Sequence, residues 1–418
     1  MAEVVAASPN RVRDWAESGV AVLTGRPGGP PVIAPGTAAT VARTLAAHVT
    51  AAAARSGRRL ELDGARMLSE RAAFTGFTRG GGVSLGGSCR LLRTADGWAA
   101  VSCARPDDPS LLGALIGADL DPADPWPAVT GWLACHSGDE LAERAELLGV
   151  AAAPVRPPTA PVPSPGLGAP RSVDGLLVVD FGSLWAAPLC AHLLGAAGAR
   201  VVKVETPSRP DGARRGNPDF YALLHGGHEA VCLDPAEPAG RRALIALVDA
   251  ADIVIEASRP RALAGFGLDA EATAARGATW LSITAAGRSS GRVGFGDDVA
   301  ASAGLVTSDA DGPLFVGDAI ADPLTGLTAA ALACSAGVPG QLFDISMSDV
   351  VAATLTLPDE AAIPRNKHGR WVIDDGNDLV EIARPRIRSP RGVVADVGRD
   401  TTAVLRSLGI ATTGIGAP

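Results

Sequence analysis

The stretch LLVVDFGSLWAAP (176–188) decides the fold. A short apolar run ends in Asp180, a turn of small residues follows, and helical spacing begins at once, which is how a strand covered on both faces feeds the helix of an α/β domain. PLCAHLLGAAG (188–198) reads as that helix, with Pro in the first turn and Gly at the end. ARVVKVE (199–205) reads as the next strand and closes a βαβ unit of about 30 residues, the size a right-handed crossover needs. The alternation continues through EAVCLD (229–234), a helix over 238–250, DIVIEA (252–257), a helix over 268–276 and TWLSIT (279–284). It predicts a Rossmann-like parallel sheet with helices on both faces and ligands at the carboxyl ends of its strands. The turn FGSLWAAP carries neither GxGxxG nor GxxxxGK[ST], so a standard NAD or ATP fingerprint is missing.

This opening comes late: 175 residues precede it in a chain of 418, long enough for two or three units. The net charge of −8 argues against nucleic-acid binding, which needs a concentrated basic face. Cys89, Cys103, Cys135, Cys190, Cys232 and Cys334 stand singly, without CxxC spacing, and read as reduced core thiols. His225 and His228 form a His-x-x-His without a Cys or carboxylate at matching spacing, so no metal is expected. No apolar run reaches membrane-spanning length and MAEVVAASPNRVRDW lacks a signal pattern, so the expectation is a soluble cytoplasmic protein with no membrane partner. The proline-rich AAAPVRPPTAPVPSPGLGAPRS (151–172) reads as an extended connector. The expected organisation is a small domain with linker helices over 1–155, a linker over 156–172, a large domain over 173–355 and a tail over 356–418.

Five blocks occur in order: VVDFGSLWAAPLCAHLLGAAGARVVKVE (178–205), IEASRPRALAGFGLD (255–269), LSITAAGRSSGRVGFGDDVAASAGL (281–305), VGDAIADPLTGLTAAALA (316–333) and GVPGQLFDISMSDVV (337–351). Together they resemble the large domain of the class III CoA-transferases, the CaiB/BaiF or formyl-CoA transferase family, which includes the α-methylacyl-CoA racemases. In that family the small domain follows the large one. Here DWAESGVAVLTGRPGGPP (14–31), GGSCRLLRTADGWAAVSCARPDD (86–108) and ELAERAELLGVAAAPV (140–155) resemble the missing later pieces, and 383–410 resembles the family's tail. The order is therefore rearranged, by circular permutation or by fusion of two truncated copies. A faint echo between DWAESGVAVLTG and DDVAASAGLVTS speaks for fusion.

The resemblance implies a family III fold, a Rossmann-like large domain plus a smaller α/β domain, and transfer of CoA between an acyl-CoA and a free carboxylic acid. It also implies an aspartyl nucleophile, no metal, and an interlocked homodimer. The family's place for that aspartate points to Asp297 and Asp298, with Asp297 preferred and Asp322 as a secondary candidate beside Asp318. A helix start also favours Asp as a cap, and there the ionised form is stabilised. Trp185 stands where many transferases carry Gln, HGGHEA replaces NRNKRS, and EASRPR replaces ENFRPG. The residues placed at coenzyme A by the resemblance are Trp185, Ala186, Lys203, Arg209, Ala257, Ser258, Arg259, Arg261 and His228. Arg214 and Arg215 are further phosphate candidates, since guanidinium matches phosphate bidentately. Two other functions fit the same residues: α-carbon chemistry such as racemisation of an acyl-CoA, and a CoA-ligand-binding homologue without catalysis.

Overall fold

The computed structural model describes residues 10–157, 160, 162–258, 260–355 and 362–415. Its centre is a six-stranded sheet of Leu177–Asp180, Arg200–Glu205, Glu229–Cys232, Ile253–Glu256, Thr279–Thr284 and Leu342–Ser346. All neighbours are parallel, and the spatial order places the first strand beside the fourth, with the second and third on one side and the fifth and sixth on the other. That is the doubly wound arrangement, whose direction reverses between Leu177–Asp180 and Ile253–Glu256. The predicted strands lie within a residue or two of those observed.

Alternate residues of each strand face opposite layers. Val178, Val201, Ile253, Ile255, Leu281 and Ile283 pack on the side of the helices Ala186–Ala196 and Ala321–Ala333. Leu177, Val179, Val202, Val204 and Val254 face the helix Pro238–Asp249 and the tail helix Thr401–Ser407. Burial on both faces is why these strands read as apolar runs.

Helices Ala186–Ala196 and Ala321–Ala333 meet at Gly326, where a Cβ would lie 2.5 Å from the Ala186 carbonyl oxygen and 3.0 Å from Leu189 Cβ. Gly326→Ala is therefore expected to lower unfolding stability by about 1–3 kcal/mol, the cost of overpacking a tight crossing. Chemical denaturation measures it, and an unchanged midpoint would show that the crossing relaxes freely.

Residues 89–154 form a second, smaller lobe. Its antiparallel sheet of Cys89–Arg93, Trp98–Ser102 and Ala152–Pro154 turns at Ala95–Gly97 and packs on the helices Asp108–Ile116, Trp126–Leu133 and Gly138–Leu148. Residues 11–75 share one apolar core with the large sheet: Trp15, Ala42, Val49 and Met67 lie in the cluster that holds Leu189 and Leu327. In this core helix Ala38–Ala54 lies against Ala321–Ala333. Asp14 of helix Arg11–Ser18 is bound by Arg43 and Thr40 of helix Ala38–Ala54.

The tail adds a three-stranded antiparallel sheet, Arg365–Lys367, Arg370–Asp374 and Leu379–Glu381. Its first hairpin turns on His368 and Gly369, both with positive φ, the conformation of a two-residue type I′ turn. The six cysteines are unpaired. Among the described residues no helix is long and apolar enough to cross a membrane.

Candidate active site

Two helix starts converge beyond the fifth strand. The loop after Thr279–Thr284 leads into Gly296–Ser302, which carries Asp297 and Asp298 in its first turn, and the turn 316–320 leads into Ala321–Ala333, which carries Asp322 in its first turn. Gly296 permits the approach: a Cβ there would stand 2.3 Å from Asp322 Oδ2 and 2.4 Å from the Ala319 carbonyl oxygen. Ala319 itself has φ 44°, a left-handed conformation that costs energy in a residue with a side chain. Its strained amide is put to use, donating to Asp297 Oδ1 at 2.8 Å.

The acids differ in their commitments. Asp298 is fully buried, and its Oδ1 accepts from the Phe295 amide at 2.8 Å and from Ser102 Oγ at 3.0 Å. It caps its helix and ties it to the small lobe. Its Oδ2 has no hydrogen bond, with Arg292 Nη2 3.8 Å away. Asp318 is also fully buried and receives a two-point contact from Arg71, Nε to Oδ2 at 2.9 Å and Nη2 to Oδ1 at 2.5 Å. Asp297 and Asp322 are partly buried. Asp322 accepts no side-chain hydrogen bond among the described residues.

Burial raises these carboxyls. Asp297 is pushed up to about 7, first by desolvation and then by the charge of Asp318, with Arg71 and the Ala319 amide opposing. Asp322 is pushed up to about 7 by desolvation and by Asp297, again opposed by Arg71. Asp298 rises to about 6, with desolvation only partly offset by Arg292 and its hydrogen bonds. Two partly accessible carboxyls held well above the usual carboxylate range in one cluster mark a candidate functional site.

Arg71 comes from the short helix Glu70–Thr75 of the front segment. Sequence reasoning missed it, because its partner Asp318 lies 247 residues away. Its neighbour Glu70 is buried and held by Arg388 of the tail at 2.5 and 2.8 Å, which pins the helix. The Arg71 guanidinium also lies 5.2 Å from the ring centre of Trp185. Trp185 is buried edge-on against Phe220, following Leu184, whose φ is 69°. Through Arg71, Trp185 and the acid cluster belong to one site.

The other residues expected at coenzyme A are spread around the carboxyl ends of the sheet. Ala186 is buried at the start of its helix, while Ala257 and Ser258 follow the fourth strand at the topological switch. Beside them a cleft of about 370 Å³ is lined by Glu256, Leu263, Asp269, Trp280 and Arg288. Arg261, Arg209 and Arg215 are exposed and carry no ion pair among the described residues. Arg259 lies outside the described residues. Lys203 is 2 % exposed, and its ammonium lies 3.0 Å from Asp211 Oδ2 and also donates to the Gly182 carbonyl oxygen. Its charge is thus engaged within the fold, as is that of Arg214, which grips Glu205. His228 is buried and pushed down to about 4 by desolvation and Lys203, so it is neutral at pH 7. Among the described residues no group of three His, Cys, Asp or Glu could hold a metal ion.

Residues 173–362 match the family model described as CoA-transferase family III. The matched segment contains the whole six-stranded sheet and all four acids of the cluster, whereas Arg71 lies outside it. The chain is 30% identical over 210 residues to the succinate–glutarate CoA-transferase of Agrobacterium fabrum, covering 44% of this chain and 52% of that protein. It is 32% identical over 106 residues to the succinyl-CoA–D-citramalate CoA-transferase of Chloroflexus aurantiacus, covering 24% and 26%. It thus spans between a quarter and about half of the length of these curated relatives. Among solved structures, a CaiB/BaiF family protein from Brucella suis is 28% identical with a TM-score of 0.40, covering 44% of this chain and 55% of that one. A hypothetical protein from Mycobacterium tuberculosis is 27% identical with a TM-score of 0.40, covering 43% and 56%.

Proposed function

We propose that the protein is a CoA-transferase that moves CoA from an acyl-CoA thioester to a free carboxylic acid, with Asp322 as the nucleophile. One observation carries the choice of residue: Asp298 is enclosed as a cap and Asp318 by Arg71, Asp297 is held by an amide, and the Asp322 carboxylate alone is uncommitted among the described residues. A carboxylate suits the task because it is nucleophilic when ionised and forms an acyl derivative reactive enough to pass on. Asp322 attacks the thioester carbonyl, the C–S bond breaks, and CoA leaves as thiolate with an aspartyl anhydride in place. The thiolate then attacks the aspartyl carbonyl, releasing the donor acid and leaving an aspartyl-CoA thioester. The acceptor carboxylate displaces the thiolate to form its own anhydride, and attack of the thiolate on the acceptor carbonyl yields the new acyl-CoA and frees Asp322.

In this reading the cleft beside Glu256 and the exposed Arg209, Arg215 and Arg261 serve the nucleotide end of CoA, next to Ala257 and Ser258. The relatives' names pair CoA with succinate, glutarate and D-citramalate, so succinyl-CoA and small dicarboxylic acids are the first substrates to try. A cytoplasmic, interlocked homodimer remains part of the proposal. Incubation with succinyl-CoA and labelled CoA, without any acid, is expected to move label into the thioester, and hydroxylamine is expected to trap a hydroxamate on Asp322. Absence of both across succinyl-, glutaryl- and formyl-CoA would remove the transfer reading.

A second reading draws on the paired carboxyls near pH 7. With one protonated and the other ionised, Asp297 and Asp322 have the acid and base needed to exchange an α-proton. Deuterium appearing at the α-carbon of an acyl-CoA in D₂O, without CoA exchange, would favour it.

A further inference from the structure

We propose that Arg71 binds the carboxylate of the acid co-substrate through its Nη1 group and thereby determines which acids the site accepts. The inference rests on the CoA-transfer reading and adds the half of the reaction that the acid cluster by itself cannot support. An acceptor acid arrives as an anion, and the Asp297 and Asp322 carboxyls that it must approach repel it whenever they are ionised. Arg71 is the cation whose charge both of these acids feel.

The guanidinium is held as a docking group would be. Nε and Nη2 are engaged by the buried Asp318, which fixes the plane of the fork. The Trp185 ring lies alongside at 5.2 Å, and the helix that carries Arg71 is anchored through Glu70 and Arg388. Nη1 has no hydrogen-bond partner among the described residues, and the side chain remains 27% exposed. Two of the three nitrogens are therefore committed to position and the third is available to a ligand. A carboxylate that reaches Nη1 accepts a charge-assisted hydrogen bond from it. Because Asp318 neutralises one unit of charge and remains in place, the net attraction is modest and reversible, as exchange of one acid for another requires.

Two isotope exchanges separate the halves of the reaction, both run with succinyl-CoA over a pH series above neutrality, because loss of the guanidinium raises both carboxyls and only a plateau where rate no longer rises with pH is compared. Exchange of labelled CoA into succinyl-CoA needs no free acid, whereas exchange of labelled succinate into it does. Arg71→Ala is expected to lower kcat/KM for succinate by about 100-fold or more, mostly through KM, and to slow CoA exchange by less than about 10-fold. Arg71→Lys, which keeps the charge but not the fork, is expected to recover part of the succinate exchange, and it carries the test if the alanine variant does not fold. Equal losses in the two exchanges, or an unchanged KM for succinate, would overturn the assignment and leave Arg71 as a structural clamp. If the wild type exchanges no CoA, the transfer reading fails first. Equilibrium dialysis of labelled succinate in the presence of CoA then decides Arg71 separately: weaker binding to Arg71→Lys than to wild type sustains it, and equal binding removes it.

Discussion

Asp322→Asn is expected to lower CoA exchange and acid transfer by about 1,000-fold or more, and to abolish the hydroxamate, while the protein folds as before. The amide is isosteric, and no hydrogen bond among the described residues depends on the carboxylate, so the fold loses nothing that the structure records. It gains something, since a carboxyl that burial has pushed up to about 7 is replaced by a group that never ionises. The comparison with Asp298→Ala is the informative one. That substitution removes the acceptor for the Phe295 amide and Ser102 Oγ. It is expected to cost about 1–2 kcal/mol of stability through the lost cap and the loosened lobe junction. An Asp298 variant that folds normally yet makes no hydroxamate, beside an Asp322→Asn variant that still makes it, would move the nucleophile to the other helix.

The scaffold was legible because both its signals are local. Apolar runs of strand length alternate with helical spacing, and burial on both faces leaves them uninterrupted from Leu177 to Thr284. The handedness of the crossovers then restricts the order of strands. The site was less legible because its decisive facts are long-range. Asp297, Asp298 and Asp322 look alike along the chain, each an acid in the first turn of a helix. What separates them is a donor from Ala319, donors from Phe295 and Ser102, and in the last case no donor at all. Arg71 sits in LSERAAFTG, where nothing distinguishes it from a surface arginine, and only folding carries it to Asp318. Lys203 is an instance where a local signal was available: a lysine inside a strand covered on both faces must be buried with a partner, and Asp211 provides one. The tail sheet left little pattern, because the residues of Arg365–Lys367 are all exposed and its hairpin turns on His368 rather than on the more usual Asn or Asp.

Asp297→Asn is expected to shift the acid limb of the transfer profile downward by about one pH unit, while transfer itself persists. The amide oxygen can still accept from the Ala319 amide, so the turn that presents Asp322 is retained. What disappears is a negative neighbour, one of the causes that raise Asp322, so Asp322 loses its proton at lower pH. In the wild type the two carboxyls titrate as a pair, and activity that needs ionised Asp322 rises through about pH 7. Stability runs the other way. These acids hold protons in the folded state that the unfolded chain releases near its ordinary carboxyl value of 3.8, so their contribution is complete below about pH 4 and is lost as pH rises through about 7. Asp297→Asn should therefore melt a few degrees above wild type at pH 8 and lose that advantage at pH 4. A pH–rate profile and melting curves at the two pH values measure both effects. Loss of all CoA exchange in this variant would identify Asp297 as the nucleophile, and an unmoved acid limb would show that the two carboxyls do not sense each other.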